Sequence, residues 1–286
     1  MSKPSTNGSG KSYTVKTWSV SWEDQDNDLV FDFYWKNGDR DISGPSLGSS
    51  NDFLYIASSV DLADGADDGI YGLSGLAVNG GKGGDQLIFQ EAGISILDGF
   101  FTNLNSFEDV HLADGMGSSL GLDTQALEAG IRHADGGSGN DSITFAATYD
   151  LTDVSADGEA GNDLLETAGG NDTLAGGAGN DTLEGGAGAD RYVFDLTGSD
   201  NVDTIIGFSS AEGDQIALGG SAFAGLTSLD LAALDFNGKL FVTDDDSDMT
   251  GELLFDQDGV GVAYAPVVVA YLAGVTSLSG GDFVIA

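Results

Sequence analysis

The sequence predicts an all-β protein built as a solenoid of parallel coils, and three observations carry that expectation. The first is a period of nine. Asp163, Asp172, Asp181 and Asp190 follow one another at nine-residue steps, and two residues after each comes Leu165, Leu174, Leu183 or Tyr192. A fixed period with a recurrent apolar position marks repeats that bury their faces against one another. The second is glycine: 45 of 286 residues, against 3 Pro and with no Gly-X-Y period, which demands many tight turns and excludes collagen. The third is charge. With 47 Asp plus Glu against 9 Lys plus Arg the net charge is -38, so cations, rather than nucleic acid or anionic membrane, are the electrostatic counterpart. A hydrophobic share of 41% is too high for a wholly disordered acidic tail. With no Cys, the chain has no disulfide, thiolate metal site or cysteine nucleophile.

From the N-terminus, residues 1–10 are polar and lack an apolar core, so they do not read as a conventional signal peptide. Within residues 1–46, whose role the sequence leaves open, Trp18, Trp22, Phe31, Phe33 and Trp35 partly alternate with polar residues, suggesting a hairpin or an edge cover on the solenoid. Residues 47–133 form a degenerate, β-rich region around one intact Gly-Gly-x-Gly-x-Asp at 80–85, with eroded copies near 50–54 and 66–70. Residues 134–194 hold intact copies at 136–141, 176–181 and 185–190 and decayed ones at 158–163 and 167–172. Residues 195–286 follow as a terminal cap. Within it, 260–275 is uncharged and broken by Pro266. That stretch is too short to span a bilayer and is expected to form two buried strands.

The nonapeptide Gly-Gly-x-Gly-x-Asp-x-U-x, with U a large apolar residue, resembles the calcium-binding repeat of RTX proteins over residues 134–194. Downstream, 190–195, 203–208, 213–216, 251–256 and 282–286 resemble the segment that caps the β-roll in serralysin-type C-terminal domains. The resemblance implies a parallel β-roll in which each repeat is a six-residue turn and a three-residue strand, and two repeats make one coil. The eighth residue points inward, and Gly at several turn positions permits φ > 0, which Asn140, Asn162, Asn171 and Asn180 are expected to tolerate. Turns on one side then recur every second repeat, stacking Asp163 with Asp181 and Asp172 with Asp190.

Stacked carboxylates about 4.8 Å apart repel by roughly 3 kcal/mol at an effective dielectric of 20, and a bound cation reverses that sign. The resemblance implies several Ca²⁺ ions, held by Asp163, Asp172, Asp181, Asp190, Asp141 and Asp85 and by turn residues Gly158, Ala160, Gly161, Gly176, Gly177, Ala178, Gly179, Gly185 and Ala187. Oxygen-only, carboxylate-rich donors suit Ca²⁺ rather than Zn²⁺. Asp141 lies further before Asp163 than two repeats and so stands out of register, and Asp85 has no intact partner two repeats away.

Other motifs are weaker. Residues 117–121 fit the Gly-x-Ser-x-Gly of hydrolases, but that string needs a strand-turn-helix elbow and a downstream His, and only His133 follows. His111 and His133 are the only histidines, no His-Glu-x-x-His exists, and both read as satisfied surface or core groups. The acidic runs 24–28 and 244–248 lack the Gly and Glu of an EF-hand loop.

The resemblance therefore implies a calcium-binding protein exported through a type I secretion ABC transporter complex. Its location would be extracellular, free or held at the cell surface or in matrix, and its role non-enzymatic, without stable membrane insertion. A hydrolase with a site in 47–133 and a membrane-active pore-former are the alternatives. The tail at 282–286 is expected to carry the export signal and to add little buried area.

Overall fold

The computed structural model describes residues 84–89, 92–102, 104–195, 197, 200–219, 223, 226, 250–256, 266–275 and 278–285, together with the backbone of the strands at 16–17, 20–23, 34–35, 42–46, 53–56, 76–79 and 240–243. The acidic runs 24–28 and 244–248, the eroded copy at 66–70, the turn glycines at 80, 81 and 83, and Trp18, Phe31 and Phe33 lie outside the described residues.

The chain winds between two parallel sheets. In the first, the described strands run Gln86–Phe89, Asp109–His111, His133–Asp135, Ser155–Asp157, Thr173–Ala175, Arg191–Phe194 and Gln215–Leu218. In the second they run Ser95–Ile96, Ser119–Leu122, Ser142–Phe145, Leu164–Glu166, Thr182–Glu184 and Asp203–Ile206. Alternation along each three-residue strand turns its middle side chain inward. Leu165 pairs with Leu183 and Leu174 with Tyr192, and all four are buried. The spacing of nine thus yields an apolar column between the sheets, each fully buried Leu contributing about 1.5–3 kcal/mol.

Coil length varies, and the register survives it. Asp141 and Asp163 are 22 residues apart, yet Ser142 pairs with Leu164 and Ile143 with Leu165. The surplus residues leave the ladder in the 3₁₀ turn Ala147–Tyr149. There the buried Tyr149 ring packs edge-on to Phe145 at 5.1 Å, with the Arg132 guanidinium 5.8 Å from its centre. Earlier coils are looser still. The 3₁₀ turn Asp98–Phe101 presents the Asp98 carboxylate to the N–H groups of Asp123, Gln125 and Ala126 at 2.9, 3.0 and 2.9 Å. This satisfies the N-terminus of the short helix Thr124–Ala129 in the next coil.

Both ends of the first sheet are covered. Val20–Glu23 lies antiparallel on Phe53–Ile56, an edge cover from the N-terminal segment. At the other end Phe283–Ile285 adds in parallel to Gln215–Leu218. The second sheet ends in Val267–Ala273, parallel to Asp203–Ile206, followed by antiparallel Thr250–Phe255 and Leu240–Thr243. Within 260–275 the described part forms the strand Val267–Ala273, which begins directly after Pro266, and 260–265 lie outside the described residues. One expectation is corrected here. The tail is not peripheral: Phe283 and Asp282 are buried, and the Asp282 carboxylate accepts from the Ser279 N–H at 2.6 Å.

Stacked turns touch backbone to backbone. A Cβ on Gly161 would fall 1.5 Å from the Gly139 carbonyl oxygen, and one on Gly179 1.6 Å from that of Gly161. Positive φ falls on the second and fourth turn positions, as at Gly177 (89°) and Gly179 (141°), and not on the Asn at the fifth. The reason for Asn is different from the one expected. Asn140 Oδ1 accepts the Asn162 N–H at 3.0 Å, Asn162 that of Asn180 at 2.9 Å, and Asn180 that of Val202 at 2.8 Å. These amides tie each turn to the following coil.

Candidate metal centre: two ladders of stacked aspartates

The turns carry a carboxylate ladder on each side of the roll. On one side, Asp163 Oδ1 accepts the Asp141 N–H at 2.7 Å, Asp181 Oδ1 that of Asp163 at 2.8 Å, and Asp203 Oδ1 that of Asp181 at 3.0 Å. On the other, Asp172 Oδ1 accepts from Val154 at 2.9 Å, Asp190 from Asp172 at 3.0 Å and Asp214 from Asp190 at 2.9 Å. The stackings of Asp163 with Asp181 and of Asp172 with Asp190 are as expected, and Asp141, expected to be out of register, joins the first ladder.

Asp141, Asp163, Asp172, Asp181 and Asp190 each give Oδ1 to a backbone N–H, whereas Asp214 gives both oxygens, its Oδ2 accepting the Ser209 N–H at 2.8 Å. The Oδ2 atoms of Asp141, Asp163, Asp172, Asp181 and Asp190 are buried without a hydrogen-bond partner. Leaving such an atom unsatisfied is costly, so these positions call for a cation. The first glycine of each turn shows where the space lies. A Cβ on Gly158 would sit 2.4 Å from Asp163 Oδ2 and 2.6 Å from the Gly176 carbonyl, and one on Gly136 would sit 3.2 Å from Asp141 Oδ2 and 2.8 Å from the Gly158 carbonyl. Carboxylate and carbonyl oxygens of successive turns thus converge on a spot kept clear by the missing side chain. The carbonyls of Ala160, Ala178 and Ala187 each accept one backbone N–H, from Gly139, Gly161 and Gly170 at 2.7, 2.8 and 3.0 Å, which leaves each a second lone pair. Gly177 and Gly179 supply the turn's left-handed positions. Gly185 borders Asp190 Oδ2.

Burial pushes the Asp163 carboxyl up to about 7, against the pull of the Asp141 N–H, with Asp181 and Asp141 adding repulsion. It raises Asp190 to about 6, and Asp141, Asp172 and Asp181 upward as well. A carboxyl whose pKa in the fold exceeds its unfolded value of about 3.9 adds stability below that value, and loses it as pH rises through the folded pKa. For Asp163 and Asp190 the window runs from about pH 4 to pH 7. In excess chelator, lowering the pH from 8 to 5 should therefore increase β structure by circular dichroism. A decrease over that interval would contradict the ladder's burial.

Some residues fall outside the ladders. Asp85 lies four coils before Asp172, the first aspartate of the ladder on its side: its N–H donates to Glu108 Oε2 at 2.7 Å, and Arg132 and Val154 hold the next two corresponding places. The first ladder ends at Ser118, whose N–H donates to Asp141 Oδ1. Ser119, of the hydrolase-like string, opens the strand Ser119–Leu122 rather than an elbow between strand and helix. His111 and His133 flank Asp135. His133 Nε2 lies 2.7 Å from Asp135 Oδ1, and His111 Nδ1 meets Oδ2. The hydrogen bond to Asp135 raises His133, and although burial opposes it, the two imidazoles hold Asp135 well below the carboxylate range. Among the described residues no three His, Cys, Asp or Glu side chains form a metal-holding group, so carbonyls must complete any site.

Asp203 and Asp214 are ladder members that the nonapeptide pattern misses. Both are buried and both are raised by burial. They stand 22 and 24 residues after Asp181 and Asp190, so a step of two nonapeptides passes over them. The signal available in the sequence was the segment 203–208 already read as cap, in which Asp precedes Thr-Ile-Ile.

Paired carboxylates and converging carbonyls on stacked turns, with no nitrogen or sulfur donor, define a calcium-binding parallel β-roll. Sequence comparison agrees: residues 157–192 match the RTX calcium-binding nonapeptide repeat in four copies. No curated protein matches the chain. Ca²⁺ supplies the positive charge these oxygens lack.

Proposed function

We propose that this protein is a secreted calcium-binding RTX protein that folds on Ca²⁺ after type I export and acts as a non-enzymatic component of the cell surface or matrix. The column of partnerless Oδ2 atoms carries the reading, because carboxylates raised by burial and by one another favour the fold only where calcium is plentiful. The ions sit between turns of the Asp141, Asp163 and Asp181 ladder, with the Gly158 and Gly176 carbonyls among their ligands. Extracellular calcium modules bind at about 10⁻⁴–10⁻³ M, so the chain stays open inside the cell, as threading through a transporter requires. Among the described residues no helix is long and apolar enough to cross a membrane.

Export is tested by removing residues 281–286. Because Phe283 is buried in the sheet, the truncation should fold with a loss of about 1.5–3 kcal/mol and still bind calcium. In a cell with a matching transporter, the full chain should appear outside and the truncation should remain within. Export of both at one level would place the signal elsewhere in the chain.

A further inference from the structure

The two ladders differ in the turn 167–172, and the difference bears on how many ions the roll holds. At the first position of the turn, Gly136, Gly158, Gly176 and Gly185 leave a gap bordered by ladder oxygens. A Cβ there would lie 3.2, 2.4, 2.3 and 2.4 Å from the Oδ2 of Asp141, Asp163, Asp181 and Asp190. In the turn 167–172 that position is Thr167. Its side chain is buried, and its hydroxyl donates to the Gly185 carbonyl at 2.7 Å. This is the counterpart of the contact between the Gly158 gap and the Gly176 carbonyl, 2.6 Å, with the gap now filled.

The backbone departs in the same turn. The second position has positive φ at Gly137, Glu159, Gly177 and Gly186, where even a glutamate adopts 63°. Ala168, in the corresponding place, does not. Thr167 therefore occupies the volume in which oxygens of successive turns converge elsewhere, and its proton engages a carbonyl that a cation would otherwise polarise. A hydroxyl hydrogen satisfies one acceptor, whereas a divalent ion would need several oxygens released together.

We propose that Thr167 replaces a calcium ion, latching the 167–172 turn to the 185–190 turn by a hydroxyl, so that this rung closes without metal while the rungs joining Asp141, Asp163 and Asp181 take Ca²⁺. The proposal rests on the calcium reading of the ladders and assigns Thr167 the role of setting the ion count. Asp172 and Asp190, equivalent to Asp163 and Asp181 by spacing, are thereby unequal to them in ligation.

The test is calcium stoichiometry on the full-length protein by isothermal titration, at pH 7.5 so that the ladder carboxyls of the bound form are ionised. Thr167→Gly should bind one more ion per chain than the parent. Thr167→Val, which keeps the bulk and drops the hydroxyl, should bind the parent's number. Gly158→Thr installs the latch on the other ladder and should bind one ion fewer, a readout that stands even where Thr167→Gly fails to fold. An unchanged count in Thr167→Gly or in Gly158→Thr, or a gain in Thr167→Val, overturns the assignment. A parent that binds no calcium overturns the underlying calcium reading instead.

Discussion

In excess chelator at pH 8 the full chain should lack its cooperative β structure, and millimolar Ca²⁺ should restore it in one transition followed by circular dichroism. The expectation follows from the balance of charge around the ladders. The chain carries -38, and along the turns buried carboxylates stack with one oxygen each left without a partner. Neighbours in a column repel by roughly 3 kcal/mol per pair at an effective dielectric of 20, against a total stability of about 5–15 kcal/mol for an ordinary domain. Ions bound to the folded state and absent from the open chain make binding energy into folding energy, and the transition shifts with free calcium by mass action. A roll fully formed in chelator at pH 8 would refute this account.

Asp181→Ala should raise the calcium concentration at the folding midpoint about tenfold or more, equivalent to about 1.4 kcal/mol or more. Asp181 stands between Asp163 and Asp203 in the ladder. Its Oδ1 holds the Asp163 N–H at 2.8 Å, its own N–H reaches Asp203, and its Oδ2 borders the Gly176 gap. The alanine removes both an ion ligand and the acceptor of a buried N–H, and the latter alone is worth about 1–3 kcal/mol. Asp181→Asn separates the two, since its amide oxygen can still accept from Asp163 while the charge is lost. Asp172→Ala, in the turn latched by Thr167, should cost stability with a smaller shift in calcium midpoint. Asp26→Ala changes the net charge equally and should leave the midpoint in place. Equal shifts from Asp181, Asp172 and Asp26 would mean that bulk charge, not ladder position, controls folding.

The nine-residue step was legible because it is a local rule repeated. The six-residue glycine turn and the three-residue strand recur whatever their neighbours do, so Leu165, Leu174, Leu183 and Tyr192 could be placed inside without knowing any contact. The same rule explains why Asp141 reads as out of register and why Asp203 and Asp214 are passed over. Asp141, Asp203 and Asp214 belong to ladders whose coils are longer than two nonapeptides, and a periodicity search sees an insertion as loss of register. Hydrogen bonds between stacked coils respond only to where strands align, and the 3₁₀ turn at Ala147–Tyr149 carries its surplus outside that alignment.

By itself the sequence determined the repeat, the inward column, the acidic donors and the calcium they imply, because each depends on residues within a few positions of one another. Tertiary structure alone decided that Asp141, Asp203 and Asp214 join the stacked carboxylates, that Asn140, Asn162 and Asn180 serve as amide acceptors between turns, and that Phe283 is part of the sheet. It also decided that Thr167, one changed letter in a decayed repeat, lies against the Gly185 carbonyl one coil further on. The physical reason is common to all of these. A hydrogen bond or an ion between coils joins atoms brought within about 3 Å of each other by strand pairing, and the length of chain between two strands does not enter into that distance.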